Sequence, residues 1–266
     1  MIQIGMSTSC TFPKSLDASF KIAKRAGFDG MEVMVSTEDA TRSAAALRAL
    51  TRKHDLPVLA IHAPVLFFTQ FVWGTNPAVK LERSVELAYD CGASTVVVHP
   101  PFRWQGSYAR NFLELVRRLE QTTGVKVAVE NMFPWNIGGG NGRQAYLPGI
   151  DPTEMDCDSI TLDFSHAALS GENALDMART AGKRLAHIHL CDGQAPGQNG
   201  KKLWDEHLPP GLGGQPVAET LQYLDDIQFK GHVVAEVNTR SAKSETDRLR
   251  VLTQTVEFAR RNLRQH

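Results

Sequence analysis

Short runs of β-branched and other apolar residues recur along the chain about 33 residues apart, the length of one strand–helix–strand repeat. The pattern predicts strands at Ile2 to Ser7, Gly30 to Met34, Pro57 to His62, Thr95 to His99, Lys126 to Glu130, Ser159 to Asp163, Ala186 to Leu190 and His232 to Val237. Helical stripes fill several of the intervals. Leu16, Phe20, Ile22, Ala23 and Ala26 form one that ends at Gly27; Ala46, Leu47 and Leu50 form a second; Val79, Leu81, Val85, Leu87 and Ala88 form a third, ending at Gly92. Eight such repeats in a chain of 266 residues predict a closed barrel rather than an open sheet: an α/β fold, a single (β/α)8 domain spanning residues 1–266.

Two connections are too long for turns. Asn131 to Asp156 carries Trp135, Gly138, Gly139, Gly140 and Gly142, and Cys191 to Gln215 is equally rich in Gly and Pro. Both follow a strand, which in a barrel puts them on the C-terminal face, where long loops serve function. The glycine run lacks the lysine of a phosphate-binding loop and its strand-to-helix context, so it does not read as a nucleotide site.

Composition narrows the function classes. Lysine plus arginine equals aspartate plus glutamate, 29 each, so no global positive field draws in nucleic acid or an anionic membrane. Cys10, Cys91, Cys157 and Cys191 are widely spaced and form no C-x-x-C, which argues against a thiolate metal site or a disulfide framework and fits a reducing, cytoplasmic setting. No signal-like or membrane-spanning apolar stretch is present, so the expected partner is a small molecule, with no membrane and an oligomeric state left open.

The ionisable residues fall at one end of the strands. The third to eighth predicted strands terminate in His62, His99, Glu130, Asp163, His189 and Glu236. Carboxylates converging at a barrel mouth repel one another, carboxylates and imidazoles alike lose hydration there, and a cation relieves both costs. A divalent metal is therefore the expected cofactor. His187, two residues before His189, points inward one layer deeper and reads as a buried hydrogen-bonding histidine; Asp192 and Cys191 are candidates to support His189, since a nearby carboxylate would fix its tautomer.

These ordered motifs resemble the xylose isomerase-like TIM barrel superfamily, which includes sugar isomerases and epimerases and the endonuclease IV group of AP endonucleases. The resemblance runs from Ile2 to about Leu263. In the epimerase branch it implies one metal held by Glu130, Asp163, His189 and Glu236. The D-x-x-H element formed by Asp163 and His166 implies a substrate contact in that branch and a metal ligand in the endonuclease branch. The stretch Asp205-Glu206-His207 followed by Leu208 to Gly213 resembles the D-x-H…G-x-G loop of endonuclease IV. With His62, His99 and His166 it completes nine positions that in that group hold three zinc ions.

Two chemistries are implied. The favoured one is isomerisation or epimerisation of a sugar, sugar phosphate or inosose through an enediolate, supported by Mn, Co, Mg or Zn, with Glu130 and Glu236, from roughly opposite sides of the ring, as the two proton carriers. The alternative is zinc-dependent hydrolysis of abasic DNA. Val65 stands where the endonuclease group offers an aromatic residue, the net charge is zero, and the insertion at Asn131 to Asp156 narrows the face a duplex would need, so nucleic acid is disfavoured. A metal-stabilised binding protein without turnover is the third class. Trp73, Phe102, Trp104 and Trp135 are candidates for an apolar wall beside a sugar, and Arg103, Arg143 and Arg240 for holding a substrate phosphate.

Overall fold

The computed structural model describes residues 2–65, 69, 71–137, 143–195, 197 and 205–263. The glycines at 138–140 and 142 lie outside that set. Eight parallel strands close into a barrel: β1 (Gln3–Ser7), β2 (Gly30–Met34), β3 (Val58–His62), β4 (Thr95–Val98), β5 (Lys126–Glu130), β6 (Ile160–Asp163), β7 (Leu185–Leu190) and β8 (His232–Ala235). Each pairs with its sequence neighbours, and β8 closes on β1 with Gln3 opposite His232.

Parallel strands covered by helices are buried on both faces, and alternation divides their residues between barrel interior and outer core. Val96, Val98, Val127, Val129, Ile188 and Leu190 pack outward in one apolar core with Phe20, Leu81, Val85, Leu115 and Val116 of the helices. Those helices are α1 (Leu16–Ala26), α2 (Ala44–His54), α3 (Pro77–Cys91) and α4 (Phe112–Thr123). Ser15, Ser43 and Asn76 cap the first three, each side chain accepting a backbone N–H of the first turn. Gly27 and Gly92 end α1 and α3 in the left-handed region, whereas α2 ends on Asp55 at φ 49°. Aspartate tolerates that conformation better than most residues.

The connection from β5 to β6 departs from the strand–helix rule. Its described residues hold a two-stranded ribbon, Asn136–Ile137 against Arg143–Gln144, and a single 3-10 turn at Pro152–Glu154. Beyond β6 come α5 (Phe164–Ser170) and α6 (Ala174–Ala181), then α7 (Val217–Asp226) after β7 and α8 (Glu245–Asn262) after β8.

Two register shifts aim the interior side chains. Met31 pairs with Val58 but Glu32 pairs with Ala60, leaving Leu59 as an extra residue in β3. Leu59 folds over Gly30, where a β-carbon would stand 2.5 Å from its Cγ, so only glycine fits there. Between β6 and β7 the partners pass from Ile160–Leu185 to Thr161–His187, with Ala186 as the extra residue. After these shifts Glu32, Ala60 and His187 face the interior, and His62 and His189 stand two residues nearer the mouth. Among the described residues no helix is long and apolar enough to cross a membrane.

Candidate metal centre

Every ligand-type residue of the strand ends meets the others at the C-terminal mouth. His62, Glu130 and Asp163 are the last residues of β3, β5 and β6, while His99 and Glu236 follow the final residues of β4 and β8. His189 lies in β7. His166 joins from the first turn of α5, whose start is fixed by Asp163: its carboxylate accepts the His166 backbone N–H at 2.8 Å. Asn131 cross-links β5 to β6, donating Nδ2 to the Asp163 carbonyl at 3.0 Å and accepting the Asp163 N–H at 2.6 Å.

Asp205 and His207 arrive from the long loop after β7. Asp192 anchors that loop by accepting backbone N–H groups of Gly193, Gly211, Gly213 and Gln215, and its own backbone exchanges two 2.8 Å hydrogen bonds with Leu208. A β-carbon on Gly213 would meet Asp192 Oδ1 at 2.2 Å, so the return of the chain depends on glycine there. His207 sits at φ 44°, a backbone conformation that costs a non-glycine residue energy and is retained where surroundings impose it. Ser165 donates to Asp205 Oδ1 at 2.6 Å, and the Asn238 N–H donates to the His207 carbonyl at 2.8 Å.

The nine side chains fall into three groups, each with its ligand atoms within 4.8 Å of one another: His62, His99 and Glu130; Glu130, Asp163, His189 and Glu236; and His166, Asp205 and His207. Glu130 belongs to two of them. Its Oε1 is 2.9 Å from His189 Nδ1 and 3.4 Å from His166 Nδ1, and its Oε2 is 2.8 Å from His99 Nε2 and 3.4 Å from His62 Nε2. Glu236 Oε2 lies 2.9 Å from His189 Nδ1, and Asp163 Oδ2 lies 3.5 Å from His207 Nε2.

Angles distinguish contact from convergence. Glu130 Oε2 has no hydrogen-bond partner among the described residues, although His99 Nε2 is 2.8 Å away. A buried polar atom left without a partner calls for an ion or a water beside it, and the imidazole and carboxylate atoms around Glu130 Oε2 are a donor set for a cation. A hard or borderline divalent ion suits the mixed carboxylate and imidazole set, and thiolate is not needed. The residues therefore fit such an ion.

The electrostatics carry the same tension. Burial raises the carboxyl of Glu130, but the facing imidazoles of His189 and His99 outweigh it and hold the group well below the usual carboxylate range. Asp163 is likewise opposed by burial and held well below by His166, His189 and His207. Burial penalises the imidazolium forms of His189 and His166, yet the surrounding carboxylates raise both well above the ordinary histidine value, and His207 to about 9.

Beneath the mouth lies Glu32, which the reading of strand ends passes over because it stands in the middle of β2. Its signal in the sequence is a lone carboxylate between Met31 and Val33. Glu32 is fully buried, and its Oε2 accepts hydrogen bonds from His187 Nε2 at 2.9 Å and His189 Nε2 at 3.2 Å. His187 is thus a hydrogen-bonding residue, as the sequence predicts. Asp192 does not take the supporting place expected beside His189, being spent on the loop, while Cys191 Sγ lies 3.6 Å from Asp163 Oδ2.

Three of the four candidate aromatics gather. Phe102 stacks on Trp104 at 4.5 Å and meets Trp135 edge-on at 5.4 Å, with Tyr146 stacked at 5.0 Å. Trp104 and Trp135 are about half exposed, and Phe133, not anticipated, brings its ring to 5.2 Å from His166. Trp73 instead packs against the main barrel core. Arg103 is occupied by a 2.6 Å hydrogen bond to the Gln144 carbonyl, and Arg240 lies over the ring of Phe12.

The pattern that defines the xylose isomerase-like TIM barrel family matches residues 20–262. The chain belongs to this family. An uncharacterized protein of Mycobacterium tuberculosis (strain ATCC 25618 / H37Rv), Rv0498, is 44% identical over 280 residues, covering 98% of each chain. Among solved structures, the 3-keto-D-glucoside 4-epimerase YcjR of E. coli superposes with a TM-score of 0.71 at 17% identity, over 98% of this chain and all of that one. A D-tagatose 3-epimerase-like protein gives 0.68 at 21% identity, over 99% of this chain and all of that one. At these identities the two structures share the family barrel with this chain, and its chemistry has to be argued from its own residues.

Proposed function

We propose that the protein is a divalent-metal-dependent isomerase or epimerase acting on a small sugar, sugar phosphate or inosose. The observation that carries this reading is the convergence of Glu130, Asp163, His189 and Glu236 within 4.8 Å at the barrel mouth. A bound divalent ion there would polarise a carbonyl and an adjacent hydroxyl, making the hydrogen on the intervening carbon acidic. Glu236, with 11% of its side chain exposed against 1% for Glu130, is the carboxylate that substrate reaches first and the one placed to take that proton. Glu130 and Glu236 come from β5 and β8, three places apart around the ring rather than diametrically opposite. A second proton, taken up from water and delivered through Glu130, would invert the carbon while Glu236 released the first to solvent; return of the first from Glu236 to the neighbouring carbon would interconvert aldose and ketose. His166 holds a substrate oxygen, and Phe102, Trp104 and Trp135 pack against the apolar face of the sugar. The structural relatives named for epimerisation support the reading.

A second reading is favoured by one specific observation, the sharing of Glu130 between two groups and the presence of the third, His166–Asp205–His207. Such a set suits three zinc ions and the hydrolysis of a phosphodiester, abasic DNA included. Incubating the metal-loaded protein in D2O with a panel of ketoses, ketose phosphates and inososes, beside an abasic duplex, separates the two. Deuterium should enter a carbon next to the carbonyl, and Glu236→Gln should slow that exchange by about 100- to 10,000-fold. Strand scission with no exchange on any sugar would replace the first reading by the second.

A further inference from the structure

Glu32 is fully buried, far along the chain from every strand-end ligand, and an ionised carboxylate in such a place costs several kcal/mol unless partners compensate it. Its neighbours Met31 and Val33 lie in the apolar core outside the ring, so alternation turns Glu32 the other way, into the barrel interior. Its compensation is specific: one oxygen, Oε2, receives two imidazole N–H groups with proper hydrogen-bond angles, from His187 at 2.9 Å and His189 at 3.2 Å. That geometry separates it from Glu130 Oε2, which imidazoles approach without bonding. Glu32, His187 and His189 also lie within 4.8 Å of one another, but Oε2 there is bonded to both imidazoles, which makes Glu32 an acceptor of hydrogen bonds beneath the four residues that converge at the mouth.

The consequence falls on His189. An imidazole has two nitrogens, and whichever holds a proton cannot donate a lone pair to an ion. With Nε2–H committed to Glu32, Nδ1 is the nitrogen turned to Glu130 and Glu236, 2.9 Å from an oxygen of each. His187 secures Glu32 from the far side, its ring 5.3 Å from that of His189 and perpendicular to it. Register puts Glu32 level with Ala60, two residues below His62, so the pair forms a floor under the mouth.

We infer that Glu32 is a positioning residue of the proposed metal centre: with His187 as its anchor, it fixes the tautomer and ring orientation of His189 so that Nδ1 faces the ion. The inference rests on the metal-centre reading, and the following experiment separates failure of one from failure of the other. Zinc affinity is measured by competition with a chromophoric chelator for the wild-type protein, Glu32→Gln and His187→Phe. Loss of an orienting partner of a ligand histidine weakens metal binding about 10- to 100-fold. Glu32→Gln should show that loss and His187→Phe a smaller one, because Glu32 then keeps its bond to His189. Zinc binding by Glu32→Gln as tight as wild type overturns the inference. In parallel, long-range 1H–15N spectra of the zinc-loaded wild-type protein, which need no variant to fold, should place the His189 proton on Nε2; a proton on Nδ1 overturns it equally. Absence of zinc uptake by the wild-type protein would reject the metal centre instead. In that case the metal-free spectrum at alkaline pH decides for Glu32, because a neutral His189 protonated on Nδ1 shows that Glu32 does not select the tautomer.

Discussion

Glu130→Gln should leave a barrel that no longer retains a divalent ion and is markedly less stable without one. Its carboxylate has 1% exposure and four imidazole nitrogens within 3.4 Å, so it is the charge on which the groups containing His62, His99 and His189 depend. Removing one partner from a buried ionic group strands the others, at a cost of about 3–5 kcal/mol. Urea unfolding of the two metal-free proteins at pH 7 should show a difference of that order, shrinking as alkaline pH removes the protons that Glu130 balances. For metal affinity the loss should exceed the roughly 100-fold attached to orienting partners, because a ligand itself is gone. Equal stability and equal retention of metal would mean that Glu130 is a bystander.

The second large effect is on protons. In the metal-free protein Glu130 and Asp163 are held well below their ordinary values, so their stabilising contribution is complete above the unfolded carboxylate range and is lost as pH falls through the depressed values. His166 and His189 are raised well above 6.5 and His207 to about 9, so theirs is complete below the unfolded histidine value and is lost as pH rises through the raised ones. These two sets bound the metal-free maximum between about pH 4.5 and 6.5, and His99, His187 and His232, lowered by burial so that their contribution is lost as pH falls below the unfolded histidine value, move it towards the upper end. Metal binding should run the other way. A ligating nitrogen must give up its proton, so affinity rises with pH and protons are released. Calorimetry at pH 7 in buffers of different ionisation enthalpy counts them. About one proton, from His189, accompanies a single ion, while about three or more, from His166, His189 and His207 with a share from the raised His62, accompany a trinuclear centre. No dependence on buffer would contradict the protonation states set out above.

These effects trace to residues that sequence patterning finds unevenly. The eight strands are legible to within two residues, because burial on both faces leaves few residue types available and glycine closes α1 and α3 before the next strand. Six of the nine ligand-type residues are legible because their positions at strand ends follow from the repeat itself, while His166, Asp205 and His207 are read only through the resemblance of their motifs to those of the family. Glu32 is not, since nothing in its local pattern says which of eight strands faces it across the barrel: the partners at 155 and 157 residues' separation meet only in the closed ring. Asp192 shows the converse, a carboxylate near His189 in the chain whose oxygens are turned to the glycine loop. The aromatic wall is legible in part, for Phe102, Trp104 and Trp135 lie on two connections that pack together, whereas Phe133 and Tyr146 join through loop geometry that apolar periodicity does not encode.

Counting the metal bound per chain reaches the centre of the account. Protein purified in the presence of Mn, Co, Mg and Zn salts, dialysed and measured by inductively coupled plasma mass spectrometry should carry at least one equivalent of divalent metal, with about three of zinc for the trinuclear alternative. Joint replacement of Asp163 and Glu236 by Asn and Gln should bring the count close to zero. A wild-type chain that retains no divalent metal under any of these conditions would contradict the assignment of Glu130, Asp163, His189 and Glu236 to a shared ion.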